Sequence, residues 1–285
     1  MSKKSETEMI VAPTTALSTD VDFGNYQGAG YEGITGADLK IPFLRVLQSN
    51  SPTTRKMDDA YIPGAEEGMI LLTVPETLWP SDPGCVFVPA AIQHVFIERV
   101  PFNEGRGFRG IRQASDPDVA EARLRWQRTD EGRKKPLANY PSGNGTEFAE
   151  SYQVFGIAVD EASKTPIGAF SFGAQGKAIT PFKTWLTEIF QFKHNGKSVP
   201  LFAHICRMTT TYESNDQGTF WVPKFKPAFN RQVKDSLVAP GTPLFNEALS
   251  LHETVTSGRV SVDSYNDTGG IPGGGDDVPA DDIPF

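Results

Sequence analysis

FAESYQVFGIAV (residues 148–159), the turn Asp160-Glu161-Ala162-Ser163-Lys164, and then PIGAFSF (residues 166–172) form the stretch from which the fold is read. Both runs are rich in aromatic and branched residues, and a turn-forming segment divides them, which is the pattern of a β-hairpin. A helix is expected next. Thr180 can cap it with Pro181 at its first position, and Phe182, Trp185, Leu186, Ile189 and Phe190 recur at helical spacing as far as Asn195-Gly196. Leu201 to Tyr212 and Thr219 to Phe225 then read as a second hairpin around Ser214-Asn215-Asp216-Gln217-Gly218.

Upstream of the first hairpin, GCVFVPA (residues 84–90) continues through Ile92 to Val100 as one long strand. A long strand, a hairpin, a helix and two more strands is the order of the five-stranded OB barrel, whose helix lies between strands three and four. The expected class is therefore mainly β, an elaborated OB barrel with strands over 84–100, 147–159, 165–173, 200–212 and 218–226 and a helix over 180–192. LKIPFLRVLQ (residues 39–48) and GMILLTV (residues 68–74) are further strand-like runs, expected as additions to the barrel.

The core so defined spans 39–240. Thr242-Pro243 opens an amphipathic helix, with Leu244, Phe245, Ala248, Leu249 and Val255 on its apolar face, that fills 241–257. The two ends, 1–38 and 258–285, carry few apolar residues and no sustained periodicity, so a disordered arm and a disordered acidic tail are expected there. Between the first two barrel strands, 101–146 reads as an inserted basic loop without strand periodicity. It carries Arg106, Arg109, Arg112, Arg123, Arg125, Arg128 and Arg133, and Ala120 to Gln127 is its one helix-like run.

Charge separates the body from the ends. Residues 40–234 hold 24 Lys/Arg against 20 Asp/Glu, a net of +4, while the flanks hold 3 against 15, a net of −12, and together they give the overall −8. A mildly basic body with acidic ends suggests binding rather than bulk acidity. The two cysteines, Cys85 and Cys206, are too few for a disulfide framework and fit a reducing compartment. No apolar run is long enough to span a bilayer and the first residues lack a signal-peptide core, so a cytoplasmic location is expected, without membrane contact.

Enzyme readings find little support. Gly105-Arg106-Gly107-Phe108-Arg109-Gly110 matches G-x-G-x-x-G by letter, but two arginines inside it and a weak helix behind it argue for a flexible basic loop rather than a dinucleotide site. Gly196-Lys197-Ser198 ends like a P-loop, yet the required first glycine is Gln191. Asp58-Asp59 and Glu66-Glu67 read as solvated loop acids, and His204-x-Cys206 lacks a second pair of zinc ligands. No catalysis, metal or cofactor is assigned.

The last five residues, Asp281-Asp282-Ile283-Pro284-Phe285, hang from a glycine-rich leash and follow Asp276 and Asp277. This tip resembles the tail of bacterial single-stranded-DNA-binding proteins, in which aspartates precede a terminal Ile-Pro-Phe. The resemblance implies that Phe285 fills an apolar pocket on a replication or recombination protein whose basic rim pairs with the aspartates and the terminal carboxylate. With its arm, OB-like core and aspartate-rich tail, the whole chain resembles a bacteriophage single-stranded-DNA-binding protein. The expected function is coating of single-stranded DNA with little sequence preference in phage replication, recombination or repair.

Single-strand binding asks for cations along the phosphates and aromatic faces for the bases. The candidate DNA-binding residues are Arg106, Arg109, Arg112, Arg123, Arg125 and Arg128 of the loop, and Tyr152, Arg207, Trp221, Lys224, Phe225 and Lys226 of the strands. In FWVPKFK (residues 220–226), strand alternation places Trp221 and Phe225 on one face and Lys224 and Lys226 on the other. The alternative is an interaction protein that binds no DNA and whose acidic tail imitates nucleic acid or a host tail to inhibit a partner.

Overall fold

Alternation of large apolar residues over long runs produces two long strands that pair along almost their whole length. The computed structural model describes residues 41–101, 107–134, 137, 139–215 and 218–258. In chain order the strands are β1 (Leu44–Val46), β2 (Ile70–Thr73), β3 (Glu76–Trp79), β4 (Cys85–Val100) and β5 (Gly107–Gln113), followed by helix α1 (Pro117–Gln127). Then come β6 (Asn139–Pro141), β7 (Glu147–Val159), β8 (Pro166–Gln175), α2 (Ile179–Gln191) and the two-residue strands β9 (Lys193–His194) and β10 (Lys197–Ser198). β11 (Cys206–Asn215), β12 (Gly218–Pro227) and α3 (Pro243–Thr256) complete the series.

The molecule is mainly β, and its central ribbon is β4 paired antiparallel with β7 from Val86↔Val159 to Arg99↔Glu147. β8 pairs with the other side of β7, β11 pairs with the start of β4, and β12 pairs with β11, all antiparallel. Numbered as five barrel strands, the neighbours run 5-4-1-2-3 with α2 between the third and fourth, as the element order required. Among the described residues no strand ladder joins β8 to β12. Instead, the segment from Pro42 to Gln48 spans that seam.

Ser171 of β8 donates its N–H to the Pro42 carbonyl at 2.7 Å, and Phe43 bridges Ser171 in parallel. At the other edge the Gln48 side chain acts as a substitute peptide group: its Nε2 donates to the Trp221 carbonyl at 3.0 Å, and its Oε1 accepts the Trp221 N–H at 2.9 Å. The two early strand-like runs thus form a separate three-stranded sheet, β1-β2-β3, whose Leu44, Val46, Ile70 and Leu72 enter the main core. β3 was not expected, because Val74-Pro75 and the polar residues after it read as a loop.

That core lies on one face of the β4–β7–β8 ribbon under α2. Phe87, Phe170, Phe172, Phe182, Trp185 and Phe225 meet there, with Phe87 and Phe170 at 5.7 Å edge to face and Trp185 and Phe225 at 5.3 Å. Each such side chain contributes roughly 1.5–3 kcal/mol by leaving water. A bulge between Pro89 and Ala91 changes the parity of β4, so that Phe87 before it and Ile92 after it both serve this core. Gly156 lies opposite Pro89, where a Cβ would stand 2.7 Å from the Val88 carbonyl and 2.8 Å from the Phe170 ring.

On the opposite face α3 packs Leu244 and Ala248 against Val86, Val88 and Ile157, so it belongs to the core domain rather than following it as a separate element. Thr242 caps it as expected, its hydroxyl accepting the Phe245 N–H at 3.3 Å. α2 differs from the expectation. It begins at Ile179 directly from a 3-10 turn, Gly176–Ala178, so Thr180 lies inside the helix and caps nothing. Its buried face is Ile179, Phe182, Trp185 and Ile189, whereas Phe190 is 81% exposed. Asn195-Gly196, both with positive φ, form the turn of the small β9–β10 hairpin.

The inserted 101–146 segment is also corrected. β5 extends the far half of β4 from Val95↔Gln113 to Val100↔Gly107, β6 extends β7, and α1 covers the resulting four strands. Phe96, Val119, Ala122, Tyr140 and Phe148 form a core of their own there. Strand periodicity was hidden because Gly107 to Gln113 reads Gly-Phe-Arg-Gly-Ile-Arg-Gln, with its apolar residues three apart rather than two.

Candidate nucleic-acid interface

α1 and α2 lie over the same face of the β4–β7 ribbon, because Phe96 and Phe148 serve the core under α1 while Ile92 and Val154 serve the core under α2. Two-residue periodicity then places His94, Glu150 and Tyr152 between those cores, on the floor of the gap between the helices. His94 and Tyr152 are direct cross-strand partners, and their rings stack with centroids 4.5 Å apart and planes 2° from parallel.

Glu150 joins the group. Its Oε1 accepts from His94 Nε2 at 3.0 Å, from the Tyr152 hydroxyl at 3.2 Å and from Lys183 Nζ at 3.3 Å. Lys183 reaches in from α2 with its ammonium 5.1 Å from the Tyr152 ring centre, and Arg123 reaches in from α1 with its guanidinium 5.5 Å from the Phe96 ring centre. Burial lowers the His94 pKa from its ordinary value, Glu150 opposes that, and the positive charges of Arg123 and Lys183 reinforce it. Burial likewise raises the Tyr152 phenol, and the charge of Glu150 adds to that. His94 also meets Phe96 at 5.3 Å and Tyr152 meets Phe182 at 5.2 Å, so the stacked pair stands within a row of four rings, with a cation on each flank and one carboxylate holding the donors in place.

The residues expected to bind DNA fall into three groups. Tyr152 and Arg123 belong to this surface, and Arg128 is exposed just past the end of α1. Arg109 is exposed on β5, and Arg112 is held by Glu98, with Nε to Oε2 at 2.8 Å. Arg125 donates to the Ser142 carbonyl at 2.5 Å and packs on Gly143, so it ties α1 to the turn before β7. Arg133 pairs with Asp130. Arg106 lies outside the described residues, as do Asp281, Asp282, Ile283, Pro284 and Phe285.

The remaining strand residues correct the expectation. Arg207 is 7% exposed and pairs in a fork with Glu161, while its Nη1 also approaches the Pro83 carbonyl at 3.3 Å, so it fastens the β7–β8 turn to β11. Phe225 is surrounded by Phe87, Phe172, Phe182 and Trp185 and has no face for a base. Trp221 covers Gly68, where an added Cβ would stand 2.6 Å from the indole, and its Nε1 is buried. Lys224 pairs with Glu213 at 2.9 Å, and Lys226 is exposed on the same side of β12.

Sequence reasoning missed His94, Glu150 and Lys183. The pairing register of β4 with β7 was the signal that would have joined them, and a bulge hides it. Among the described residues no helix is long and apolar enough to cross a membrane.

Comparison with known proteins finds one family: the model of the Pam3 phage gp34-like protein matches residues 11–261. No curated protein and no solved structure matches the chain significantly.

Proposed function

The chain belongs to the Pam3 phage gp34-like protein family, and from that premise we propose that it binds single-stranded DNA in the host cytoplasm and recruits replication or recombination enzymes through its C-terminal tip. The observation that carries this reading is the stacked His94–Tyr152 floor flanked by Arg123 and Lys183. Cations at the rim suit phosphates, and the half-exposed edge of the aromatic row offers apolar contact to bases of any sequence, the two needs of sequence-tolerant single-strand binding. The strand order 5-4-1-2-3 with a helix between third and fourth strands supports an OB-type scaffold, a fold used for such binding.

Coating DNA and docking a partner are separable. The ribbon surface contacts the strand, while Phe285 and its preceding aspartates engage an apolar pocket with a basic rim. Fluorescence anisotropy with a labelled single strand and a blunt duplex of equal length tests the first part. Tighter binding of the single strand is expected, weakened about tenfold or more in Tyr152→Ala through the loss of one stacking partner. Equal affinity for duplex and single strand overturns the reading. Removal of Phe285 should abolish capture of partner enzymes and leave DNA affinity nearly unchanged. Capture without any DNA binding would instead favour the interaction protein that imitates a host tail.

A further inference from the structure

Beyond the His94–Tyr152 floor, the far end of α1 carries a second recess with a different chemistry. It is lined by Arg123, Trp126, Arg133, Lys134 and Tyr140, together with Gln127 and Gly132. The turn that builds it is tightly folded. Thr129 donates both its N–H, at 2.9 Å, and its hydroxyl, at 2.8 Å, to the Trp126 carbonyl, and the Gly132 N–H donates to the Thr129 hydroxyl at 2.9 Å. Only glycine fits at 132, since a Cβ there would stand 1.9 Å from the Trp126 carbonyl oxygen. This turn brings Arg133 and Lys134 back against the helix end, opposite Arg123.

Three cationic residues, Arg123, Arg133 and Lys134, line one small space, and among the described residues only Arg133 of these has a carboxylate partner, Asp130. A phosphodiester inside a strand brings one negative charge, whereas a phosphomonoester brings about −1.5 to −2 near neutral pH and three acceptor oxygens. Cations that track a running strand are spaced along it, but here three line a single recess. Trp126, partly exposed in the same recess, offers an aromatic surface to the base next to such a phosphate, with the buried Tyr140 behind it. We propose that this recess binds a terminal nucleotide of the strand through its phosphomonoester, so that the protein distinguishes phosphorylated ends from hydroxyl ends. The proposal rests on single-strand binding for its ligand, and on the recess alone for its end preference.

The test is competition of labelled single strand by unlabelled oligonucleotides of about 12 nucleotides, a length within the range one OB-type domain covers, bearing a 5′-phosphate, a 3′-phosphate or only hydroxyl ends, together with a free mononucleotide. One phosphorylated end should compete about tenfold better than the hydroxyl-ended strand, as charge-assisted hydrogen bonds to an added charge imply. Arg133→Gln with Lys134→Gln should remove that advantage, and both residues are exposed, so the fold is retained. Equal competition by all three oligonucleotides overturns the inference and leaves the single-strand reading standing, as does a phosphate advantage that persists in the double variant. Binding of the mononucleotide without binding of the hydroxyl-ended strand supports the recess and overturns the single-strand reading.

Discussion

Neutralising Arg123, Arg128 and Lys183 together, each by glutamine, tests whether the α1–α2 face carries the phosphates. Arg128 is exposed at the helix end, Arg123 lies over Phe96 with no carboxylate partner among the described residues, and Lys183 shares Glu150 with two other donors at a long 3.3 Å. Arg123 and Lys183 flank the aromatic pair and Arg128 is exposed, so all three can exchange counterions for phosphates. Single-strand binding loses about 0.7 in log–log salt slope for each phosphate contact, so three lost contacts flatten the slope by about 2. Over a fourfold rise from about 50 to 200 mM salt, the affinity loss of the variant should therefore be smaller by about 15- to 20-fold than that of the parent. Arg112→Gln is the contrast: its guanidinium is held by Glu98 at 2.7 Å, and the slope should change by well under one contact. Anisotropy titrations of a labelled single strand across that salt range give both slopes. An unchanged slope in the triple variant, or an equal change from Arg112→Gln alone, refutes the assignment of the phosphate path to this face.

Three further outcomes follow from the same geometry. Arg207→Leu should destabilise the fold by about 2 kcal/mol, discounted because Glu161 is half exposed, and should leave the salt slope unaltered; denaturant titration and anisotropy measure the two effects. His94 has its pKa lowered by burial, with Glu150, Tyr152, Lys183 and Arg123 facing it, so its unfolded form takes up the proton first and its contribution to stability is lost as pH falls below about 6.5. DNA phosphates on Arg123 and Lys183 would raise that pKa, so affinity should increase as pH falls through the same window, and both dependences should flatten in His94→Gln. Burial pushes the thiols of Cys85 and Cys206 up to about 12, so iodoacetamide at about pH 8 should leave both unmodified in the folded protein and modify both once it is unfolded, as mass spectrometry will show.

The mainly β class and the order of the five main strands were legible because strand patterning survives wherever both faces are buried. Val86, Phe87 and Val88 are all buried, and so are Ile157, Ala158 and Val159, which reads as continuous apolar sequence. The start of α2 was misread because a 3-10 turn precedes it and satisfies no capping rule. β5 was invisible for a physical reason too: its apolar face is only Phe108 and Ile111 beside glycines, so pairing with β4 rather than composition makes it a strand. The stacked pair could not be found from sequence, because His94 and Tyr152 are 58 residues apart in number and meet only through the post-bulge register of β4.

The seam segment explains why the aromatic residues that looked best placed for DNA are the ones withdrawn from it. The space beside β12 is filled by Pro42 to Gln48, and Gln48 binds both backbone groups of Trp221. Once that edge is satisfied, Trp221 settles over Gly68 and Phe225 turns into the ring cluster under α2. The β11–β12 hairpin therefore contributes packing, with Tyr212, 53% exposed and 5.5 Å from Trp221, as its remaining open ring. Cationic and aromatic groups are instead brought together along the β4–β7 ribbon where His94 and Tyr152 lie between the core under α1 and the core under α2. The five-strand frame supplies His94, Tyr152 and Lys183, and the elaboration adds α1 with Arg123, the second cationic flank of the surface proposed for a nucleic-acid strand.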